Sequence, residues 1–156
     1  MTKSKTSNKL FSEIADDFAL SGVGTSRFIE FSSCYLLINH QKSSYSKSFF
    51  INVGIIYKEL LGRNLTANEL SDALNLKNPS IPVHVYFRLE SFPSAPPDLQ
   101  EKFDHLISEG SINELKEVMI DALNKLFIFI ENNHDRKTIR KLFNEKKLSA
   151  SIRKEV

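Results

Sequence analysis

The sequence predicts an α+β fold: a single domain in which an antiparallel sheet of about four strands packs against N- and C-terminal helices. Three observations carry that prediction. Residues 41–57, QKSSYSKSFFINVGIIY, join a polar, serine-rich turn to a strongly apolar strand with Phe49, Ile51, Val53, Ile55 and Tyr57 at alternate positions. Side chains alternate across a strand, so one face of this segment is wholly apolar while Phe50, Asn52, Gly54 and Ile56 make the other face mixed. Residues 81–90, IPVHVYFRLE, alternate as cleanly: Val83, Val85, Phe87 and Leu89 share one face, and His84, Tyr86, Arg88 and Glu90 share the other. That is the pattern of an antiparallel sheet covered on one side. Apolar residues at three- and four-residue spacing then mark amphipathic helices near both ends of the chain.

Taken in order, residues 1–7 are polar and read as a disordered lead-in to a domain spanning 8–148, with 149–156 as a basic tail. Leu10, Phe11, Ile14 and Phe18 predict a helix over about 8–20, stopped by Gly22 or Gly24. Residues 26–33 suggest a first strand, 34–42 a second, and 43–47 a loop of hairpin length before the apolar strand. Gly54 inside that strand points to a bulge or a close backbone approach. Thr66 and Glu69 have capping-box spacing ahead of a short helix over 67–75, which Asn78-Pro79-Ser80 breaks. Leu99, Phe103, Leu106 and Ile107 form the stripe of a helix over 98–108. Ser111 and Glu114 are spaced as a second capping box, opening the longest helix over about 112–132. Its LFIFI end, Leu126–Ile130, is apolar all round and is expected to lie deepest. A last helix over about 136–148 turns Ile139, Leu142 and Phe143 inward and its basic residues outward.

Composition narrows the class. With 156 residues, 41% hydrophobic and 26% charged, the chain has the balance of one soluble domain large enough to bury a core. Twelve Phe and no Trp suggest a phenylalanine-rich interior. Cys34 is the single cysteine, which excludes an internal disulfide and leaves no Cys/His spacing for zinc or a redox pair. No export signal follows the basic N-terminus, and the longest apolar run is too short for a bilayer, so a cytoplasmic location without membrane contact is expected. The net charge of +2 is uneven: residues 1–9 carry +3 and 135–156 carry +5, leaving −6 on the body between.

The run Gln41 to Ile55, followed by His84-Val85-Tyr86-Phe87-Arg88-Leu89, resembles the bacterial domain-of-unknown-function 4304 family. Its marks here are Gln41-Lys42-Ser43, Asn52-Val53-Gly54 and Arg88-Leu89, within a match over about residues 10–130. Many members have Cys-His before the arginine strand where this chain has Val83-His84, so no role of that cysteine carries over. The resemblance implies a compact bacterial α+β domain with no established activity. It also points toward binding, since such small domains are thought to lie near toxin or defence loci.

The candidate site is the polar side of the sheet. Gln41 and Asn39 from the second strand, Asn52 from the third, and His84, Tyr86, Arg88 and Glu90 from the fourth would meet there, with Lys42 and Ser43 at the rim. Carboxamide, phenol and guanidinium groups make directional hydrogen bonds and suit recognition. The alternative is a solvated face with cross-strand pairs such as Glu30 with Arg88. No catalytic residues are assigned: no glycine-flanked nucleophilic serine is present, and His40, His84, His105 and His134 lack metal-ligand spacing. No cofactor is implied. The sequence thus reads as a small binding protein, immunity-type or toxin-neutralising, with another protein as partner. The alternative is a nucleic-acid-associated protein working through the basic C-terminal helix, and the third reading an enzyme with a site near His84.

Overall fold

A computed structural model of the protein describes residues 3–44, 48–73 and 81–156, with side chains from Ser7 onward. Residues 1–2 of the expected lead-in, the loop residues 45–47 and the expected Asn78-Pro79-Ser80 break lie outside the described residues. At the centre, β3 (Cys34–Lys42) and β4 (Phe49–Tyr57) pair antiparallel over their full lengths, Cys34 opposite Tyr57 and Lys42 opposite Phe49. A one-residue slip would turn every apolar side chain of β4 to the wrong face, so the hydrophobic pattern specifies this register. β2 (Ser26–Glu30) flanks β3, and β5 (Val85–Arg88) flanks β4. Two short edge strands, β1 (Ser21–Val23) and β6 (Ser151–Ile152), complete a six-stranded antiparallel sheet in the order β1-β2-β3-β4-β5-β6.

Helices close one face. α1 (Lys3–Asp17), α4 (Leu99–Glu109), α5 (Ile112–Asn133) and α6 (Arg136–Asn144) bring Phe11, Phe103, Met119, Leu123 and Ile139 into one core with Phe49, Ile51, Val53, Ile55, Val85 and Phe87. Fully burying each such side chain contributes roughly 1.5–3 kcal/mol before chain entropy is counted. On the helix side the buried guanidinium of Arg27 ties β2 to α1. It donates to Asp16 Oδ1 at 2.7 Å, to Ser12 Oγ at 2.9 Å and to the Gly24 carbonyl at 2.9 Å. Two further helices, α2 (Lys58–Leu61) and α3 (Ala67–Asp72), follow β4. α3 opens with the expected capping box, Thr66 Oγ1 accepting from Glu69 N–H and Glu69 from Thr66 N–H.

Several expectations are corrected. α1 is helical from Lys3, so residues 3–7 belong to the fold; Ser7 is buried with its hydroxyl 3.0 Å from His40 Nε2. Ser111 precedes α5 but makes no capping hydrogen bond through its side chain. Gly54 sits in unbroken register between Leu37 and Tyr86, with no bulge. Ile128, expected deep, is 59% exposed, because an all-apolar run has no polar residue to mark its solvent side. The strand expected over 81–90 is regular only from Val85 to Arg88, and Leu89–Ser91 turns into a 3-10 helix. Residues 149–156 are no loose tail. β6 pairs with β5, Arg153 N–H donates to the His84 carbonyl at 2.9 Å, and Arg140 Nη2 donates to the Arg153 carbonyl at 2.9 Å.

Candidate functional site

Strand alternation gives the second sheet face two unlike ends. At one end Phe28, Tyr35, Leu37 and Ile56 are covered by Leu70 and Ala73 and by Ile81, and Val83 joins this cluster rather than the main core. At the other end lie Ser26, Asn39, Gln41, Phe50, Asn52, Tyr86 and Arg88. Among these, Asn39, Gln41, Phe50, Tyr86 and Arg88 stay partly exposed. The register places Asn39 and Arg88 on either side of Asn52, Gln41 opposite Phe50, and Tyr86 opposite Gly54.

Asn52 is the hub. It is only 3% exposed, so its amide must find partners within the protein. Its Nδ2 donates to Gln41 Oε1 at 2.8 Å and to Asn39 Oδ1 at 3.2 Å, and its Oδ1 accepts from Tyr86 Oη at 2.7 Å. Asn39 in turn donates to Ser26 Oγ at 3.0 Å. Tyr86 stands opposite Gly54 yet reaches Asn52, so its ring leans along β4 over the position that has no side chain. These bonds hold the row in one arrangement. Arg88 lies beside it with its guanidinium 3.8 Å above the centroid of the Phe50 ring, and makes no hydrogen bond or ion pair among the described residues. Phe50, placed on this face by its parity, was not among the expected site residues; its diagonal position to Arg88 follows from the register.

Two of the expected residues belong elsewhere. Lys42 shares the parity of His40 and Ile38, so it lies on the helix side of the sheet, exposed at the end of β3. His84 is buried beyond the start of β5, where its Nδ1 accepts from Tyr57 N–H at 2.9 Å. Burial, with help from Arg153, lowers its pKa and keeps it neutral. Gln41, Asn52, Tyr86 and Arg88 are brought together; Lys42 and His84 are not. The suggested Glu30–Arg88 pair is also replaced, since Glu30 pairs with Lys58 at 2.7 Å.

The groups gathered here are neutral hydrogen-bond donors and acceptors beside one guanidinium. Two serine–histidine pairs lie at 3.0 Å: Ser7 with His40, both buried beneath helices and with no partner for His40 Nδ1 among the described residues, and Ser33 with His134 at an exposed site. His40 is stacked 5.0 Å from Phe49, and burial lowers its pKa to about 4. Among the described residues no group of three or more His, Cys, Asp or Glu could hold a metal ion. The basic C-terminal helix is partly committed to internal contacts: Arg136 donates to Glu59 at 2.9 Å and to the Glu155 carbonyl at 3.0 Å, as Arg140 does to Arg153. His134 stacks on Phe31 and lies 3.0 Å from Ser33 Oγ.

The protein is therefore an α+β domain built on a sequential antiparallel sheet, one face sealed by helices and the other half covered. No described helix is long and apolar enough to cross a membrane. The chain belongs to the family described as Domain of unknown function (DUF4304), whose model matches residues 21–129, from β1 into α5. Neither curated proteins nor solved structures give a match.

Proposed function

We propose that the protein is a small cytoplasmic binding module of the toxin-neutralising, immunity type, which recognises another protein through the polar end of its second sheet face. The observation that carries this reading is the Arg88 guanidinium, 3.8 Å from the centroid of the Phe50 ring and without an acidic partner among the described residues, beside a row of side chains already held by hydrogen bonds. A guanidinium held on a ring keeps its N–H edge for a planar acceptor, so the partner offers an Asp or Glu carboxylate to Arg88. Gln41 and Tyr86 supply neighbouring polar contacts at low cost in entropy, because Asn52 already orients them.

The test compares immobilised wild type, Arg88→Ala and Lys125→Ala, the last on α5 on the helix side. The neighbouring gene's product is the first partner to present. The expected result is a protein retained by wild type and Lys125→Ala but lost by Arg88→Ala, whose melting temperature stays within about 4 °C of wild type. Unfolding of Arg88→Ala, or retention of the partner by that variant, would defeat the reading.

A further inference from the structure

His84 joins the end of β4 to the C-terminal segment. Its backbone N–H donates to the Ile55 carbonyl at 3.0 Å, its carbonyl accepts from Arg153 N–H at 2.9 Å, and its ring Nδ1 accepts from Tyr57 N–H at 2.9 Å. The residue is 3% exposed. A backbone N–H can only donate, so the last bond requires a neutral ring with its proton on Nε2. A protonated imidazole carries hydrogen on both nitrogens and cannot accept. Protonation therefore breaks the bond to Tyr57, leaves a buried N–H unpaired and puts a cation into a nearly closed site.

The charges facing the ring oppose that cation. Arg153 of the C-terminal segment and Arg136 of α6 both disfavour it, and Glu155 favours it. Glu155 already lies 4.0 Å from Arg153, and Arg136 is paired with Glu59 at 2.9 Å. Tyr57 of β4, its ring centroid 6.1 Å away, adds no charge, because burial keeps its phenol protonated. Burial first, then Arg153, hold the His84 pKa below its ordinary value of 6.5. The C-terminal segment is the neighbour able to yield. β4 is paired on both sides, whereas β6 pairs with β5 only through Ser151 and Ile152. Beyond β6 the segment hangs on the Arg153–His84 bond and on exposed bonds from Arg136 and Arg140 to the carbonyls of Glu155 and Arg153.

We propose that residues 151–156 form an acid-released strap: protonation of His84 expels the segment carrying Arg153 while β2, β3 and β4 stay paired, which uncovers the outer edge of β5 at Val85 and Tyr86. Once released, the ring meets water and titrates near 6.5, so opening begins as pH falls through about 6.5 and grows with acidity. Amide hydrogen exchange of the full chain, followed by NMR as protection factors at pH 7 and pH 5, tests this. In the wild type, protection of Arg153 N–H and Tyr57 N–H falls together by about threefold or more, with about 25-fold as the ceiling for one such histidine. Both stay less protected than Leu36 in β3 at either pH, as local opening requires. His84→Asn offers Tyr57 N–H an acceptor that does not titrate, and the pH response at Arg153 disappears. Arg153→Gln keeps the backbone bond but not the opposing charge, and its response is smaller than the wild type's. A wild-type change below about threefold, protection at Arg153 equal to that at Leu36, or a response that survives in His84→Asn overturns the proposal. Arg153 is exposed, so Arg153→Gln decides the matter should His84→Asn fail to fold: an undiminished response there overturns the proposal equally.

Discussion

Replacing Asn52 by Ala removes the hub of the polar sheet face, and its cost follows from the bonds that the amide makes. Three side-chain hydrogen bonds disappear, two donated by Nδ2 and one accepted by Oδ1. Each is worth about 0.5–1.5 kcal/mol net, because the unfolded chain makes the same bonds to water. The orphaned groups of Asn39, Gln41 and Tyr86 are partly exposed and can rehydrate, so no large desolvation cost is added. The expected loss is about 2–4 kcal/mol, or roughly 5–15 °C in melting temperature for a domain of this size. Urea unfolding measures it directly, and Tyr86→Phe should cost about 1 kcal/mol on the same scale. In the double variant the losses should fall short of additive by about 1 kcal/mol, since the two share one bond. Arg88→Ala gives up only its stacking on a ring, about 0.5–1 kcal/mol at a partly exposed site. Equal losses for Asn52→Ala and Arg88→Ala, or additive losses for Asn52→Ala and Tyr86→Phe, would refute the division into a structural hub and a stacked recognition residue.

Two further outcomes follow from the helix side. His40 has its pKa lowered from 6.5 to about 4 by burial, so the unfolded chain takes up a proton first as pH falls. Its contribution is complete above about pH 6.5 and is lost as pH drops toward about 4, by roughly 2 kcal/mol between pH 7 and pH 5. Buried His84 acts in the same direction. Urea midpoints at the two pH values check this, and His40→Gln should flatten the difference; identical wild-type midpoints would contradict it. Arg27→Ala should cost about 3 kcal/mol and Asp16→Ala only about 1 kcal/mol, because Asp16 is largely exposed while Arg27 keeps Ser12 and Gly24 as acceptors. Thermal melts of the two variants settle the order.

Cys34–Lys42 was legible to the residue and the apolar strand Phe49–Tyr57 to within one, while their mutual register was not read from the sequence. The Thr66–Glu69 box was equally legible because its chemistry is local. Similar spacing at Ser111 and Glu114 produced no side-chain cap, which shows that spacing permits a capping box without enforcing it. β1 and β6, three and two residues long, hold no period to read, and their pairing depends on neighbours distant in sequence. Asn52, Gln41, Tyr86 and Arg88 came together because parity held along β4 and β5. His84 escaped because regular pairing begins only at Val85, and Lys42 because parity assigns it to the helix side. The stacking of Arg88 on Phe50 needed the register as well as the pattern.

The order β1-β2-β3-β4-β5-β6 bears on how the chain reaches this state. Every strand is laid down at a growing edge, so none must be inserted between two that are already paired. The β3–β4 hairpin, closed over a short connection, offers an early nucleus assembled on the microsecond scale typical of hairpins. β5 and then β6 bring the larger loop-closure penalties, with helices intervening, so the far edge is expected to zip last and to open first. Hydrogen exchange should therefore run fastest at Ser151–Ile152 and slowest in the middle of β3 and β4.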